Sequence, residues 1–248
     1  MGAAALRRPA IGPWTAIVVF ILLWMTVMTV GTALRDFVVP NPPLGSPQDN
    51  IAFRLATSLP LSWIALGLTL LLARWRGQRP TDLGWRKPGS LWGWLAAFAV
   101  TAYLIWGSFR SPYCRGICFI DPHAWLTDWS PFRTLTSIAV GLTAGFCEEI
   151  TFRGFVMTQA RDGGAPVAVQ IVLSGLLFGL AHLGIAGLSG HFDPVAAISV
   201  VASTTVFGAV FAAIYVLGRR SLTHVILAHG LFAFVTEPWL LLWTLKPH

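Results

Sequence analysis

Charge is what this sequence has least of. Asp, Glu, Lys and Arg make up 11% of the 248 residues and hydrophobic residues 55%, whereas soluble domains carry about 25% charge. That shortage excludes a solvated globular domain and a disordered chain alike. Three cysteines are too few for a disulfide framework. There are no internal repeats and no low-complexity segment, which argues against a solenoid and against the inverted halves of many transporters. Basic residues gather on no single amphipathic face, so nucleic acid is not an expected partner.

In place of charge there are long apolar runs, at about 14 to 34, 55 to 73, 91 to 109, 132 to 158, 166 to 189, 195 to 217 and 222 to 245. Each comes close to the roughly 20 residues that cross about 30 Å of hydrocarbon. The expectation is an all-α, polytopic transmembrane bundle of about seven spans, six to eight, forming one integral domain over residues 1–248 whose surroundings are the lipid bilayer. The first run follows Arg7 and Arg8 but exceeds a signal-peptide core, so it is read as a retained helix. With the N-terminus in the cytoplasm, ten Lys and Arg fall inside, densest from Arg74 to Lys87, and six outside; the positive-inside rule favours that orientation in a cell (inner) membrane.

Pro- and Gly-containing residues 35–54 and Cys-containing residues 110–131 read as the two longer loops. Cys114 and Cys118 suit a disulfide or two free thiols better than a metal site. Gly141 with Gly145, and Gly175 with Gly179, form Gly-x-x-x-Gly ridges that let another helix approach closely. Cys147 reads as a small buried hydrophobe, and Glu237 as a residue near the outer end of the last span.

Against this background Glu148-Glu149-Ile150-Thr151-Phe152-Arg153 is costly. Each charge at the bilayer centre costs at least ~2.5 kcal/mol, which marks a functional site. Glu149 and Arg153 are four residues apart and can pair on one helix face. Glu148 points about a quarter-turn away, towards a cavity. His182 lies near the middle of the fifth run and His229 in the seventh; His224, on another face, reads as interfacial. Two carboxylates, a guanidinium and two imidazoles supply a base, an orienting group and donors for an oxyanion, the set that hydrolysis needs. Counted from the assumed inner ends, however, Glu148 is ~15 Å deep, His182 ~24 Å and His229 ~11 Å.

These residues resemble the motifs of the CAAX prenyl protease and bacteriocin-processing group, the Rce1-like or glutamic-type intramembrane endopeptidases. Glu148, Glu149 and Arg153 match its EExxxR, Phe178 and His182 its FxxxH, and His229 the start of its HxxxN, where Ala233 stands in place of Asn. The resemblance covers about residues 85–240, with Leu83-Gly84-Trp85-Arg86-Lys87-Pro88 similar to the stretch that precedes the family's core. It implies that Glu148 activates water, that Glu149 and Arg153 support it, and that His182 and His229 orient water or stabilise the tetrahedral intermediate.

The substrate it implies is a membrane-anchored or hydrophobic peptide: a C-terminal anchor, a lipidated tail or a leader. No cofactor is obligatory by the resemblance, although two carboxylates and two histidines are also a ligand set for zinc. Ala233 removes an oxyanion donor worth ~3 to 4 kcal/mol, for which Thr236, Ser174 or His224 are candidate substitutes. It also supports an alternative, a catalytically silent scaffold or immunity protein of the same fold. A proton relay or transporter ranks third.

Overall fold

The computed structural model describes residues 11–38, 47–85, 89–110, 131–183 and 194–244. Among the described residues it is all helix, running α1 (Pro13–Val38), α2 (Pro47–Trp75), α3 (Leu91–Arg110), α4 (Pro131–Thr143), a π-helical run (Ala144–Val156), α5 (Met157–Asp162), α6 (Val167–Ala181), α7 (Pro194–Leu217) and α8 (Thr223–Thr244). The chain from α4 through the π run to α5 is one continuous rod. Five helices are long and apolar enough to cross a membrane, and α6 and the described part of α8 are shorter apolar helices. Each of the seven apolar runs expected from the sequence contains one of these helices.

The packing is that of a membrane bundle. Leu22, Leu34, Leu71, Tyr103, Ile198 and Val206 are exposed on outer faces, where lipid rather than water satisfies them. Polar residues are turned inward instead: Glu149, Arg153, Gln159, His224 and His229 are all buried. Two apolar cores flank the π run. One joins Phe20 and Trp24 of α1 to Phe152, Phe155 and Phe178, and the other joins Ile150 to Phe211, Tyr215 and Val225.

Without a hydrophobic force between helices in lipid, close approach depends on small residues. Both glycine ridges serve that purpose. A Cβ on Gly145 would lie 2.6 Å from the Ile226 carbonyl oxygen of α8, and one on Gly141 2.7 Å from that of Gly230. A Cβ on Gly175 would lie 2.8 Å from the Thr205 oxygen of α7. The rod therefore lies against α8, and α6 against α7.

Three expectations are corrected. The first loop is shorter than residues 35–54, because α1 continues to Val38 and α2 already begins at Pro47, a first-turn position where proline's missing N–H costs nothing. The fifth helix ends early: α6 stops at Ala181, so His182 caps a short helix instead of lying mid-span, and residues 184–189 lie outside the described residues. His224 is not interfacial but fully buried. Its Nε2 donates to the Ile214 oxygen at 3.2 Å and its ring lies 5.9 Å from that of Trp94.

Residues 81–85 form a turn that packs against the end of α7 and the start of α8. There Leu83 is buried, the Leu83 oxygen accepts from the Tyr215 hydroxyl at 3.3 Å and the Gly84 oxygen from the Leu222 amide at 3.0 Å. Gly84 has φ +95°, a conformation that strains a residue with a Cβ. Helix α8 thus starts against this turn, with Leu222, just before its first residue, bonded to Gly84. Cys114 and Cys118, and the Glu237 side chain, lie outside the described residues.

Candidate active site

The π run carries Glu148, Glu149 and Arg153. Hydrogen bonds there run from residue i to i+5, which widens the helix; such segments are rare and recur at functional sites. The wider turn brings Glu149 and Arg153 into contact, Arg153 Nη1 to Glu149 Oε1 at 2.9 Å, with neither side chain exposed. The sequence-level pairing of these two residues is what the structure contains.

Arg153 is held on three sides. Its Nη2 donates to the Gly208 carbonyl oxygen at 3.2 Å, and its guanidinium carbon lies 4.6 Å from the Phe178 ring centroid and 5.8 Å from that of Phe211. A buried guanidinium without such partners would be prohibitively costly. Here the carboxylate, a carbonyl and two ring faces replace water.

His229 joins this pair from α8. Its Nδ1 lies 2.6 Å from Glu149 Oε1, and since that carboxylate pairs with Arg153, the imidazole nitrogen is the donor. On His182 the Nδ1 lies 2.7 Å from the Phe178 carbonyl oxygen, which can only accept. Both histidines therefore carry a proton on Nδ1, and both turn Nε2 towards Glu148. The Nε2 of His182 is 3.9 Å from Glu148 Oε2 and that of His229 is 3.8 Å away.

Glu148 differs from its neighbour. Its side chain keeps 17% of its exposure while that of Glu149 keeps none, and its buried Oε2 has no hydrogen-bond partner among the described residues. The five residues singled out in the sequence, Glu148, Glu149, Arg153, His182 and His229, thus converge from three elements despite their unequal apparent depths. His182, at the C-terminal end of the short α6, and His229, in the second turn of α8, both reach Glu148 of the π run.

None of the three candidates to replace the missing Asn reaches the cluster. Ser174 donates to the Phe152 oxygen at 3.1 Å, Thr236 to the Phe232 oxygen at 2.8 Å, and His224 to Ile214. Ala233 itself is fully buried in an apolar group with Val140 and Ala144. Among the described residues no group of three or more His, Cys, Asp and Glu has the arrangement of a metal site.

Sequence reasoning missed α7. Phe207, Gly208 and Phe211 touch Arg153 or His229, with the Phe207 and Phe211 rings 4.9 and 5.3 Å from that of His229. They carry no polar side chain, and only their one-turn spacing around a glycine could have drawn notice.

Compared with known families, residues 129–235 match the model described as type II CAAX prenyl endopeptidase Rce1-like. Among curated proteins and among solved structures, nothing matches the chain.

Proposed function

Because the chain carries a domain of the Rce1-like family, a family of membrane proteases, over residues 129–235, we propose that it is a glutamate-dependent intramembrane endopeptidase. It hydrolyses a peptide bond of a membrane-delivered substrate. The observation that supports this most is the convergence of two imidazole Nε2 atoms on the unpartnered Oε2 of Glu148, at 3.8 and 3.9 Å. Those distances are too long for direct hydrogen bonds. They suit a single bridging water, the nucleophile of the reaction.

In this reading Glu148 takes a proton from the water as its oxygen attacks the scissile carbonyl carbon. With both Nδ1–H groups already donated, an imidazole meets the tetrahedral oxyanion through Nε2–H only in its doubly protonated form. The proton held by Glu148 then passes to the leaving amine, the C–N bond breaks, and the products are a carboxylic acid and an amine. Glu149 and Arg153 do not touch the substrate. They fix His229 through its Nδ1 so that Nε2 points at the reacting atoms.

With Ala233 in an apolar group, stabilisation of the oxyanion rests on an imidazolium, a histidine that carries a second proton on Nε2. No metal is assigned to the reaction. The N-terminus is assigned to the cytoplasm of a cell membrane, on the ten-to-six distribution of Lys and Arg and the positive-inside rule.

A second reading, a silent scaffold of the same fold, is favoured by one observation: the Ala233 position is filled with packed apolar atoms. Co-expression with a panel of anchored peptides, one farnesylated at a C-terminal Cys-a-a-X, one unmodified and one hydrophobic leader, separates the two. A mass shift in any of them that is lost with Glu148→Gln is the expected result; intact peptides throughout would favour the scaffold.

A further inference from the structure

We propose that Arg220, held by Gln170, is a binding site for an anionic phosphate group at the end of the bundle where α5 passes into α6 and α7 into α8. The chemistry assigned to Glu148 plays no part in this inference.

Two adjacent arginines, Arg219 and Arg220, follow Gly218. Helix α7 ends there in a Schellman pattern: the Arg219 amide donates to the Val216 oxygen at 3.0 Å and the Arg220 amide to the Tyr215 oxygen at 2.8 Å. The left-handed position of such a cap favours glycine. Here arginine occupies it and the next position too, with φ +57° at Arg219 and +59° at Arg220. Two successive residues with side chains in this region are costly, and such strain collects at ligand sites.

The turn sends the Arg220 side chain across to α6, where Nη2 donates to Gln170 Oε1 at 2.6 Å. Gln170 is buried and is itself fixed, its Nε2 donating to the Ala165 oxygen at 2.7 Å. An arginine that only capped α7 would turn to the last carbonyls of that helix. This one is held by a neutral amide of another helix.

Its other terminal nitrogen, Nη1, is buried and has no hydrogen-bond partner. No carboxylate pairs with Arg220 among the described residues. Burial, and after it the like charge of Arg161, hold the guanidinium below its ordinary pKa, and Arg161 already pairs with Asp162 at 3.0 Å. A fixed, partly desolvated cation with a free N–H and no counter-charge is completed by an anion that accepts from it. Phosphate oxygens match the guanidinium fork, and phospholipids present them in the headgroup layer that flanks the hydrocarbon core. A lipid headgroup and free phosphate share this chemistry. Either would join the turn before α6 to the turn before α8.

Native mass spectrometry of the delipidated full-length protein in detergent tests the site by titration with phosphatidylglycerol, phosphatidylcholine and inorganic phosphate in turn. The expected result is that phosphatidylglycerol, inorganic phosphate or both bind at least about tenfold more tightly than the zwitterionic lipid, the worth of one charge-assisted hydrogen bond. That preference is lost in Arg220→Gln. It is lost also in Gln170→Glu, which gives the guanidinium a carboxylate of its own and carries the test if Arg220→Gln does not fold. Arg74→Gln removes an exposed charge from the end of α2, and binding there stays within about threefold, because exposed charges are screened.

Binding of phosphatidylglycerol alone assigns the site to a lipid headgroup, and binding of inorganic phosphate to a soluble anion; both support the inference. No preference over phosphatidylcholine, a preference unchanged in Arg220→Gln and Gln170→Glu, or an equal loss in Arg74→Gln would overturn it.

Discussion

Removing the charge of Glu149 while leaving Arg153 in place is the most informative perturbation of the buried network. Arg153 is wholly buried and has one carboxylate within 2.9 Å; the Gly208 carbonyl and two ring faces are its other described partners. Breaking a buried pair by deleting one partner costs about 3–5 kcal/mol, because a charge is stranded in low dielectric. Glu149→Gln should therefore lower the unfolding free energy by about that much.

Arg153→Met alone strands the carboxylate instead, at a similar cost. The double variant strands no charge. It loses the cation–π contacts, worth up to ~2 kcal/mol when desolvated, but needs no ion desolvation, so it should be less destabilised than either single change. The resulting coupling energy is at least ~2 kcal/mol.

Unfolding in mixed micelles titrated with SDS, followed by tryptophan fluorescence, gives all four free energies. Single costs within about 1 kcal/mol of the parent, or costs that simply add, would refute the reasoning that Glu149 and Arg153 compensate each other in a dry site.

Three further outcomes follow from the geometry. Ala233→Asn, which completes the HxxxN pattern begun by His229, should not speed cleavage: it puts an amide among Val140 and Ala144, an unpaired polar burial of about 1–3 kcal/mol, to be read in the same SDS titration and in cleavage rates. Gly145→Ala places a methyl 2.6 Å from the Ile226 oxygen and should push the π run from α8, costing about 1–3 kcal/mol and lowering kcat with it. His224→Leu should be nearly neutral, within ~1 kcal/mol and about threefold in activity. Its Nδ1 is already without a partner and the Ile214 oxygen keeps its bond from the Gly218 amide at 2.8 Å, so no polar group is orphaned by the change.

What the sequence made legible was whatever depends on short spacing. Apolar runs of about 20 residues gave the helices; a four-residue interval gave the Glu149–Arg153 pair; Gly-x-x-x-Gly gave the ridges on which α8 and α7 pack. What it concealed depends on contacts between distant segments. Nothing in residues 144–156 announces a π-helix, since the choice between i+4 and i+5 hydrogen bonds is a small energy difference that packing can decide.

The packing of the turn at 81–85 on the start of α8 is visible only once Gly84 is seen beside Leu222, and the burial of His224 only once Trp94 and Ile214 are seen around it. Phe207 was concealed for a simpler reason: in a chain so rich in apolar residues, an aromatic that packs on a buried histidine looks like any that meets lipid.

The measurement that tests the central claim most directly is the cleavage rate of one anchored peptide in liposomes by the purified parent and by Glu148→Gln, scored by mass spectrometry. Gln keeps the shape of the side chain and cannot take a proton from water, so the rate should fall by about 10²–10⁴-fold, the usual worth of a general base, with the fold unchanged. Cleavage by Glu148→Gln within tenfold of the parent would contradict the account and move the chemistry to another group.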